Sequence, residues 1–303
     1  MIQPPFISIL ADCRVLVQGI TGREASMVSK QMLRYGTNIV AGVSPGKGSQ
    51  SFEGVPVYDS VQEAVLSKRP NVSVIYVPPS FVRDATLEAI ENGIQLVLII
   101  TERVPEKDTI ELIARAHSNG CQIIGPNIGG LVVPSRHVKL GPIGGGNPER
   151  MFVPGHVAII SRSGGMSAEI GWMLKRSGQG TRLSVSIGGD PILGTTMKEM
   201  LQILQDDPET HAAVLFCEPG GDMESEVAEL VESRGFTKPI VAHVAGSFTE
   251  RLPRGIKFGH AGAIIRTDAG LPSVKLERFK QAGVKTAARI SDIPTLVSNA
   301  LAR

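Results

Sequence analysis

The sequence predicts an α/β protein made of two successive doubly wound domains, each with a parallel sheet. Short runs of β-branched and aliphatic residues alternate along the chain with amphipathic stretches of helical length. The runs are continuously apolar rather than alternating, which is typical of parallel strands covered on both faces. A segment rich in glycine and proline, residues 127–154, interrupts the alternation and so divides it into two βαβ arrays.

The first array, residues 1–126, is predicted to form one domain, and residues 127–154 the loop that connects it to the second. Its predicted strands are bounded by Gly, Pro or Asn, and two of its helices end at glycines, which are good helix stops. The predicted strands are Val15–Val17, Ile39–Val43, Val72–Val77, Leu96–Ile100 and Gln122–Ile124. The predicted helices are Arg23–Tyr35, Val61–Ser67, Phe81–Asn92 and Glu106–Asn119.

The second array, residues 155–303, repeats the pattern and is predicted to form the second domain. Its predicted strands are Val157–Ile160, Leu183–Ile187, Ala213–Phe216 and Ile240–His243. Its predicted helices are Met166–Ser177, Thr196–Gln205, Asp222–Ser233, Pro272–Ala282 and Ile293–Leu301. Ligands of doubly wound folds bind at the carboxyl ends of the strands, so the strand-to-helix loops are the places to look for function.

Composition excludes several classes of protein. The 31 Lys and Arg residues nearly balance the 29 Asp and Glu, so the net charge of +2 provides no basic field for nucleic acid. With 34 glycines and few aromatic residues, the chain is suited to tight turns rather than to an aromatic platform for bases. The three cysteines stand far apart, which predicts a reduced protein without a disulfide framework. The segment Met1–Leu10 lacks the cationic and long apolar regions of a signal peptide, and no apolar run is long enough to span a bilayer. We therefore expect no signal peptide, no membrane partner and a cytoplasmic or organelle-matrix location.

The loop after the first predicted strand is the first candidate anion site. It reads Gln18-Gly19-Ile20-Thr21-Gly22 and opens a helix, whose free N–H groups and dipole favour a phosphate. It is not the dinucleotide fingerprint, and no acidic residue ends the second strand to hold a ribose hydroxyl. That strand instead runs into Ser44-Pro45-Gly46-Lys47-Gly48. Lys47 fits a ribose that carries a phosphate, so NADP and coenzyme A are both open here. The P-loop reading fails, because the segment is one residue short and Gly48 stands where a Ser or Thr is needed.

The second domain offers another helix start after its first strand, Ser161-Arg162-Ser163-Gly164-Gly165-Met166. Backbone N–H groups of Ser163, Gly164 and Gly165 are candidate anion donors. The segment is not the G-x-S-x-G of serine hydrolases, so we do not predict that activity.

One histidine has small neighbours on both sides, in Gly259-His260-Ala261-Gly262. These neighbours leave its imidazole open to a large reacting group. Glu218 follows another strand of the same predicted sheet, and a carboxylate there is suited to fix the tautomer of a reactive histidine. The other five histidines show no metal-ligand spacing, so no metal site is predicted in this chain.

Together these motifs resemble the α subunit of succinyl-CoA synthetase, a succinate–CoA ligase, over nearly the whole chain. The motifs that carry the resemblance, in order and at family spacing, are Gln18–Gly22, Gly42–Gly48, Gly125-Pro126-Asn127, Ser161–Gly164, Gly188-Gly189-Asp190-Pro191 and Gly259–Ala263. The resemblance implies an N-terminal Rossmann-like CoA-binding domain followed by a flavodoxin-like ligase domain.

The resemblance also implies a mechanism and a partner. A β subunit with an ATP-grasp site, in an αβ or α2β2 assembly, would bind ATP or GTP with Mg²⁺. The nucleotide would phosphorylate His260, which Glu218 orients and the helix start at Ser163, Gly164 and Gly165 receives. The phosphoryl group would pass to a carboxylic acid, and the thiol of coenzyme A would displace it. The family's CoA site maps onto Thr21, Gly22, Arg23, Ser44, Lys47, Tyr76, Pro78, Thr101, Glu102 and Asn127.

Departures from the succinate pattern concern the substrate. The succinate enzymes typically carry Thr-Leu after Ser-Arg-Ser-Gly, whereas this chain has Gly165-Met166, as in ATP-citrate lyase and citryl-CoA synthetase. The glycine-rich insertion at residues 141–152 also resembles those citrate enzymes, and Ile128-Gly129 replaces the usual Cys-Pro. Succinate, citrate, malate and a sulfonated acid are therefore all open as substrates.

Two alternatives belong to other classes. The first is a regulatory relative that binds CoA without catalysis, against which the intact His260 and Glu218 argue. The second, more distant, is an NADP-dependent reductase built on the same first loop.

Overall fold

The computed structural model describes residues 6–302, which form two compact α/β units. The first contains the described residues up to Pro148 together with Ile192–Thr195, and the second contains Glu149–Pro191 and the described residues from Thr196 onward. The start of the Met1–Leu10 segment lies outside the described residues. Both units have the parallel strands and flanking helices of the predicted fold class, which is confirmed.

The first unit contains a seven-stranded sheet in the order β3-β4-β2-β1-β5-β6-β7. Its strands are β1 (Val15–Gln18), β2 (Ile39–Val43), β3 (Ser51–Phe52), β4 (Val55–Tyr58), β5 (Val72–Ile75), β6 (Leu96–Ile99) and β7 (Gln122–Ile124). Its helices are α1 (Phe6–Ala11), α2 (Arg23–Tyr35), α3 (Val61–Lys68), α4 (Pro79–Glu91) and α5 (Glu106–Asn119). Every residue of β1, β5 and β6 is buried, as expected for parallel strands between two helical layers.

The order of strands reverses at β1, which pairs with β2 on one side and with β5 on the other. This reversal opens a crevice at the carboxyl end of β1, where the Gln18–Gly22 loop leads into α2. At its other end α2 stops at Gly36, whose φ of 110° lets its N–H reach the last carbonyls of the helix.

Strand β4 was missed by the sequence analysis. Pro56 stands in its middle, and a proline removes a ladder donor and argues against a central strand. The structure accommodates it because β4 pairs in parallel with β2 at Gly42 and Val43, whereas Pro56 lies opposite Ser51 of the short edge strand β3.

The segment predicted as a connecting loop, residues 127–154, contains an antiparallel hairpin of β8 (Leu131–Val133) and β9 (Val138–Leu140). Gly130 and Gly141 of this segment lie in close contact next to the hairpin. A Cβ on Gly130 would lie 2.0 Å from the carbonyl oxygen of Leu140, so only glycine allows this approach. The hairpin belongs to the first unit. Residues Ile192–Thr195 also belong to the first unit, where the N–H of Gly194 donates to the carbonyl of Gly125 at 2.8 Å. The domain limits at 126 and 155 stay a prediction.

The second unit contains five parallel strands in the order β14-β13-β12-β10-β11. They are β10 (Pro154–Ser161), β11 (Thr181–Ser186), β12 (Ala212–Cys217), β13 (Ile240–Val244) and β14 (Lys285–Thr286). The helices are α6 (Gly164–Arg176), α7 (Met197–Gln205), α8 (Met223–Glu232), α9 (Pro272–Gln281) and α10 (Ile293–Leu301). The order reverses at β10, so the loop from β10 into α6 lies at the switch point of this sheet.

Local signals in the second unit agree with its elements. Thr196 and Glu199 form a reciprocal capping box that starts α7. Ser163 caps α6, because its Oγ accepts the N–H of Met166. Between residues 6 and 302, no helix combines the length and the apolar character that a membrane crossing needs.

Candidate functional site

The loop between β1 and α2 presents main chain rather than side chain to the crevice above the first sheet. Gly19 has a φ of 82°, and a Cβ there would lie 3.4 Å from the backbone of Tyr76 and Val77. Gly22 is the residue before α2 and supplies no side-chain cap, so the first N–H groups of the helix have no side-chain acceptor from that position. Arg23 is the first residue of α2. The predicted anion site thus lies at a real helix start.

Three of the predicted CoA residues form one hydrogen-bonded chain. The ammonium of Lys47 donates to Thr21 Oγ1 at 3.1 Å, and Thr21 Oγ1 donates to Ser44 Oγ at 3.0 Å. The loop that carries Lys47 is held by Asp59, whose Oδ1 accepts the N–H of Gly48 at 2.8 Å. A cation and two hydroxyls therefore converge beside the start of α2.

A cleft of about 490 Å³ opens beside this chain. Four predicted residues line it: Thr21, Ser44, Lys47 and Pro78. Gln18 and Gly19 of the predicted first loop also line it, whereas sequence reasoning missed Phe81, Asp84, Ala85 and Glu88. Phe81 is 60% exposed although it is a large aromatic residue. It belongs to the first turn of α4, and only its unusual exposure, which a sequence does not reveal, identifies it as a wall of the cleft.

Three further predicted residues, Tyr76, Thr101 and Asn127, are joined to the cleft-lining residue Val77 by the chain itself or by hydrogen bonds. The Thr101 hydroxyl donates to the carbonyl of Val77 at 2.7 Å, and the N–H of Asn127 donates to the carbonyl of Thr101 at 3.1 Å. Tyr76 buries its hydroxyl without a hydrogen-bond partner, and burial raises the pKa of its phenol, with Glu24 adding to the effect. Thr101 and Asn127 are thus connected to the cleft wall through the main chain.

Glu102 is different. Its side chain is 62% exposed and lies 3.6 Å from the guanidinium of Arg103, and it is not among the residues that line the cleft. Its predicted CoA contact therefore stays a prediction without geometric support in this structure.

The second unit gathers four loops at one edge of its sheet. Ser161 at the end of β10 pairs with Phe216 of β12 and with Ser186 of β11, and Cys217 pairs with Val244 of β13. Because these strands are parallel, the loops that follow them leave from the same edge. They carry the start of α6, residues 188–191, Glu218, and the segment around His260.

At this edge His260 and Glu218 form a close pair. The Nδ1 atom of His260 lies 2.8 Å from Glu218 Oε2, and the two side chains are 31% and 15% exposed. The hydrogen bond to Glu218 raises the pKa of His260 above its ordinary value, against the opposing effect of burial. A carboxylate acceptor keeps the proton of a neutral imidazole on Nδ1, so the lone pair is on Nε2.

Two glycines bring main chain against the imidazole and its neighbour Arg162. A Cβ on Gly189 would lie 2.4 Å from Cγ of His260, and one on Gly262 would lie 2.5 Å from Nη2 of Arg162. The N–H of Gly262 donates to the carbonyl of Gly189 at 2.8 Å, and Arg162 Nη2 donates to the carbonyl of Asp190 at 3.0 Å. The ring is therefore held by close contact on one face, and a cation stands nearby.

The start of α6 is ordered by hydroxyls. Ser161 Oγ accepts the N–H of Ser163 at 3.0 Å and donates to its carbonyl at 2.7 Å. Gly165 is exposed, and a Cβ there would approach nothing closer than Ser163 Oγ at 4.0 Å. The first turn of α6 thus offers N–H groups with open space in front of Gly165.

Other candidate chemistries receive no support. Residues 6–302 contain no group of three or more His, Cys, Asp and Glu side chains arranged to hold a metal ion. Cys13, Cys121 and Cys217 are buried and unpaired, and burial raises the pKa of Cys13 and Cys121 to about 12, so these thiols are not poised as nucleophiles.

Each unit thus has a helix start at the switch point of its sheet, the first beside Lys47 and two hydroxyls and the second at the edge that carries the His260–Glu218 pair. Similarity to known proteins assigns this two-unit chain to the class of acid–CoA ligases. Residues 11–103 match the family model of the CoA binding domain, and residues 154–298 match that of the succinyl-CoA ligase-like flavodoxin domain. The chain belongs to the family of succinate–CoA ligase α subunits, which are acid–thiol ligases. The predicted resemblance is confirmed.

Relatives within the family differ in the acid named. The chain is 41% identical to the α subunit 2 of an ADP-forming succinate–CoA ligase from Archaeoglobus fulgidus, over 97% of this chain and all of that one. It is 38% identical to a subunit of an ADP-forming sulfoacetate–CoA ligase from Bilophila wadsworthia, over 96% of this chain and 98% of that one.

A solved structure resembles the whole chain. ATP citrate lyase from Methanothrix soehngenii, in complex with citrate and coenzyme A, superposes with a TM-score of 0.87 at 26% identity. The match covers 96% of this chain and 50% of that longer one.

Proposed function

We propose that this chain is the catalytic α subunit of an ADP- or GDP-forming acid–CoA ligase that works through a phosphohistidine at His260. The observation that carries the proposal is the 2.8 Å contact between His260 Nδ1 and Glu218 Oε2, at the sheet edge where α6 begins. A merely CoA-binding relative needs no such pair.

In the first step His260 Nε2 attacks the terminal phosphorus of the nucleoside triphosphate. A nitrogen–phosphorus bond forms, the bond to the bridging oxygen breaks, and the nucleoside diphosphate leaves. Glu218 keeps the Nδ1 proton in place and stabilises the positive charge that develops on the ring. Phosphoryl transfer depends on positioning and charge stabilisation, which the imidazole pair and the N–H groups at Ser163, Gly164 and Gly165 are suited to supply.

In the second step a carboxylate oxygen of the acid attacks the same phosphorus, and the imidazole leaves with its electron pair. The product is an acyl phosphate. The thiolate of coenzyme A then attacks the acyl carbon, and inorganic phosphate departs as the thioester forms. The covalent intermediate divides one difficult transfer into easier ones.

The first unit fits coenzyme A. Lys47, Thr21 and the N-terminal N–H groups of α2 are suited to phosphates, and Ser44 fixes the Thr21 hydroxyl. The apolar wall at Val77, Pro78 and Phe81 is suited to a base and to the pantetheine arm. We assign Gly22, Arg23, Tyr76, Thr101, Glu102 and Asn127 to the same site, with Glu102 as its least supported member.

The proposed partner is a β subunit with an ATP-grasp fold that binds ATP or GTP with Mg²⁺, in an αβ or α2β2 assembly in the cytoplasm or an organelle matrix. The names of the relatives as α subunits support it.

The proposed substrate is a small carboxylic acid with a second anionic group: succinate, citrate, malate or a sulfonated acid. The open space at Gly165 supports an acid with a bulky or sulfonated second group, because this position presents no side chain. The sulfoacetate–CoA ligase among the relatives supports the sulfonated candidate.

The test uses the chain purified with its β subunit. Incubation with γ-³²P-labelled ATP or GTP should label the protein with the acid-labile, base-stable phosphate typical of phosphohistidine, and His260→Asn should abolish the label. ADP or GDP release is then measured with CoA and each candidate acid. Label that survives in His260→Asn contradicts the mechanism, whereas no label and no turnover with any acid would support the non-catalytic CoA-binding relative.

A further inference from the structure

A buried ion pair lies directly behind the loop that carries Glu218. The ammonium of Lys275 in α9 lies 2.6 Å from Glu224 Oε2 in α8, and the two side chains are only 3% and 4% exposed. The proposed reaction gives neither residue a role.

Lys275 also binds the main chain of that loop. Its Nζ donates to the carbonyl of Glu218 at 2.8 Å and to the carbonyl of Gly220 at 2.6 Å. The ammonium thus donates hydrogen bonds to these two carbonyls, and Glu224 adds an electrostatic contact at 2.6 Å. The side chain therefore spans the 218–220 loop and fixes it to two helices.

The position of this lysine is energetically unfavourable by itself. Burial of an ammonium carries a large desolvation penalty, and a cation in the first turn of a helix is disfavoured by the helix dipole. Lys275 lies in the first turn of α9, which begins at Pro272. The negative charge of Glu224 and the two carbonyl oxygens compensate for this placement.

The same loop packs against the segment that follows His260. A Cβ on Gly220 would lie 2.6 Å from the N and O atoms of Ile264 and 2.7 Å from the carbonyl oxygen of Gly262. The N–H of Gly220 also donates to the carbonyl of Gly270 at 2.9 Å. A displacement of Gly220 therefore moves both halves of the reactive pair, namely the backbone of Glu218 and the chain next to His260.

We propose that Lys275, with Glu224 as its counter-ion, is a positioning residue that fixes the 218–220 loop and thereby the alignment of the Glu218 carboxylate with His260 Nδ1. The proposal rests on the proposed role of His260. It assigns a task in the ligase reaction to two residues that touch no reacting atom.

A purely structural role makes a different prediction. Buried ion pairs are often replaced by uncharged residues with little loss of stability, whereas alignment of a reactive pair is sensitive to displacements of about 1 Å. Stability and reactivity should therefore separate in the right variant.

The principal variant is Lys275→Met combined with Glu224→Gln, which removes both charges and leaves the net charge of the protein unchanged. The matched control is Arg182→Met combined with Asp207→Asn. It breaks another buried ion pair of the same unit, with side chains 5% and 2% exposed, whose Nε–Oδ2 distance is 2.9 Å. The second variant is Lys275→Arg, which keeps the charge but replaces the compact ammonium with a larger planar group, so it displaces the two carbonyl contacts.

Two readouts are measured on each full chain, with melting temperatures to establish folding. The first is the pKa of the His260 imidazole from an NMR titration of the chain alone, its resonance assigned by its absence in His260→Asn. The second is the rate of phosphohistidine formation in the complex with the β subunit.

We expect the Lys275→Met/Glu224→Gln variant to lower the pKa of His260 towards its ordinary value and to slow phosphorylation by about tenfold or more, while the control leaves both unchanged. Lys275→Arg should change both in the same direction, and it decides the question if the double variant does not fold. The proposal is overturned if the folded Lys275 variants match the wild type in both readouts, or if the control pair shifts them equally.

Failure of the proposed function looks different. If the wild-type complex acquires no label at His260, the ligase mechanism fails, whereas the NMR titration still reports whether Lys275 aligns Glu218 with the imidazole.

Discussion

The two sheet edges use the same design, a switch-point loop that leads into a helix start, but they surround it with different side chains. In the first unit the loop is followed by hydroxyls and an ammonium at hydrogen-bond distances of 3.0–3.1 Å beside an open cleft. In the second unit the loop is joined by a partly buried histidine–carboxylate pair with a buried ion pair behind it. In the proposed function the first arrangement binds a flexible polyanion, and the second holds one reactive atom in a fixed place.

This contrast makes a general prediction. Substitutions at the second edge should reduce the rate of phosphoryl transfer, whereas substitutions at the first should weaken CoA binding and leave phosphorylation of His260 unchanged.

The largest effect is expected from Glu218→Gln. The amide can present either its oxygen or its NH₂ to His260, so the tautomer is no longer fixed, and the phosphorylation rate should fall by about 10³-fold. Because Glu218 raises the pKa of His260, the wild-type imidazole keeps its proton to higher pH than usual, and the rate falls as pH drops through that raised pKa. In Glu218→Gln this acid limb should move to lower pH. A pH–rate profile of single-turnover labelling checks both points, and an unshifted limb would contradict the pairing.

The same pair should contribute to stability in a defined pH range. Since the folded-state pKa of His260 is raised, its contribution is fully present below the ordinary pKa and is lost as pH rises through the raised value. Comparison of wild-type and Glu218→Gln unfolding across this range tests the sign.

Gly189→Ala should have the next largest effect. Its new Cβ would lie 2.4 Å from Cγ of His260, so the ring must move, and a displacement of about 1 Å lowers the rate about 100-fold. Gly146→Ala is a matched control, because its Cβ would approach nothing closer than Gln31 at 3.7 Å. Single-turnover labelling of both variants is the measurement, and equal rates would show that Gly189 does not set the ring position.

Lys47→Ala is expected to have a smaller effect, on CoA affinity rather than on the phosphorylation rate. Loss of the ammonium next to Thr21 should weaken CoA binding about tenfold, with reduced salt dependence, because a charge-assisted contact is removed. Phosphorylation of His260 should not change. Calorimetric titration with CoA provides the affinity, and the exposed Lys107→Ala is the control. If Lys47→Ala instead slowed the phosphorylation of His260, the proposal that the first edge binds CoA and the second carries out phosphoryl transfer would be wrong.

The smallest effect on activity is expected from Lys139→Met. Lys139 is fully buried in β9, and its Nζ donates to Gln31 Oε1 at 3.3 Å, whereas Lys275 has three close partners. Burial lowers the pKa of Lys139 from 10.5 to about 8. Between these values the unfolded chain binds more protons than the folded one, so wild-type stability should rise with pH over that range.

In Lys139→Met this rise with pH should be missing. At pH 7 the free energy of unfolding of the variant should exceed that of the wild type by ~1–3 kcal/mol, because the wild type buries a charged ammonium there. Urea unfolding at pH 7 and pH 10 measures it, with Lys107→Met as the exposed control. A large loss of labelling in this variant would indicate a catalytic role that the structure does not suggest.

Much of the fold was predictable because the parallel strands are continuously apolar and several helices begin or end at local signals, such as Ser163, Thr196 and Gly120. Helices α2, α5 and α10 and strands β2 and β7 have the predicted limits, and both switch-point loops follow the predicted strands. Strand β4 was not predictable, because Pro56 is tolerated only through its place beside an edge strand. The hairpin of β8 and β9 was missed because the flanking glycines, such as Gly130 and Gly141, favour a loop prediction. Only the pairing of the two strands with each other, which the sequence does not show, reveals the hairpin.

The sequence alone determined the two α/β arrays, the two helix starts proposed as anion sites, and the residue types of the proposed reactive pair, because periodicity, capping and motif spacing are local properties. The tertiary structure decided which distant residues meet: Glu218 and His260 at 2.8 Å, Gly189 under the imidazole, and Lys275 of α9 on the carbonyls of the Glu218 loop. Those contacts join strands, loops and helices far apart in the chain, and no local pattern encodes them. They arise only when the parallel strands bring their carboxyl ends to one edge.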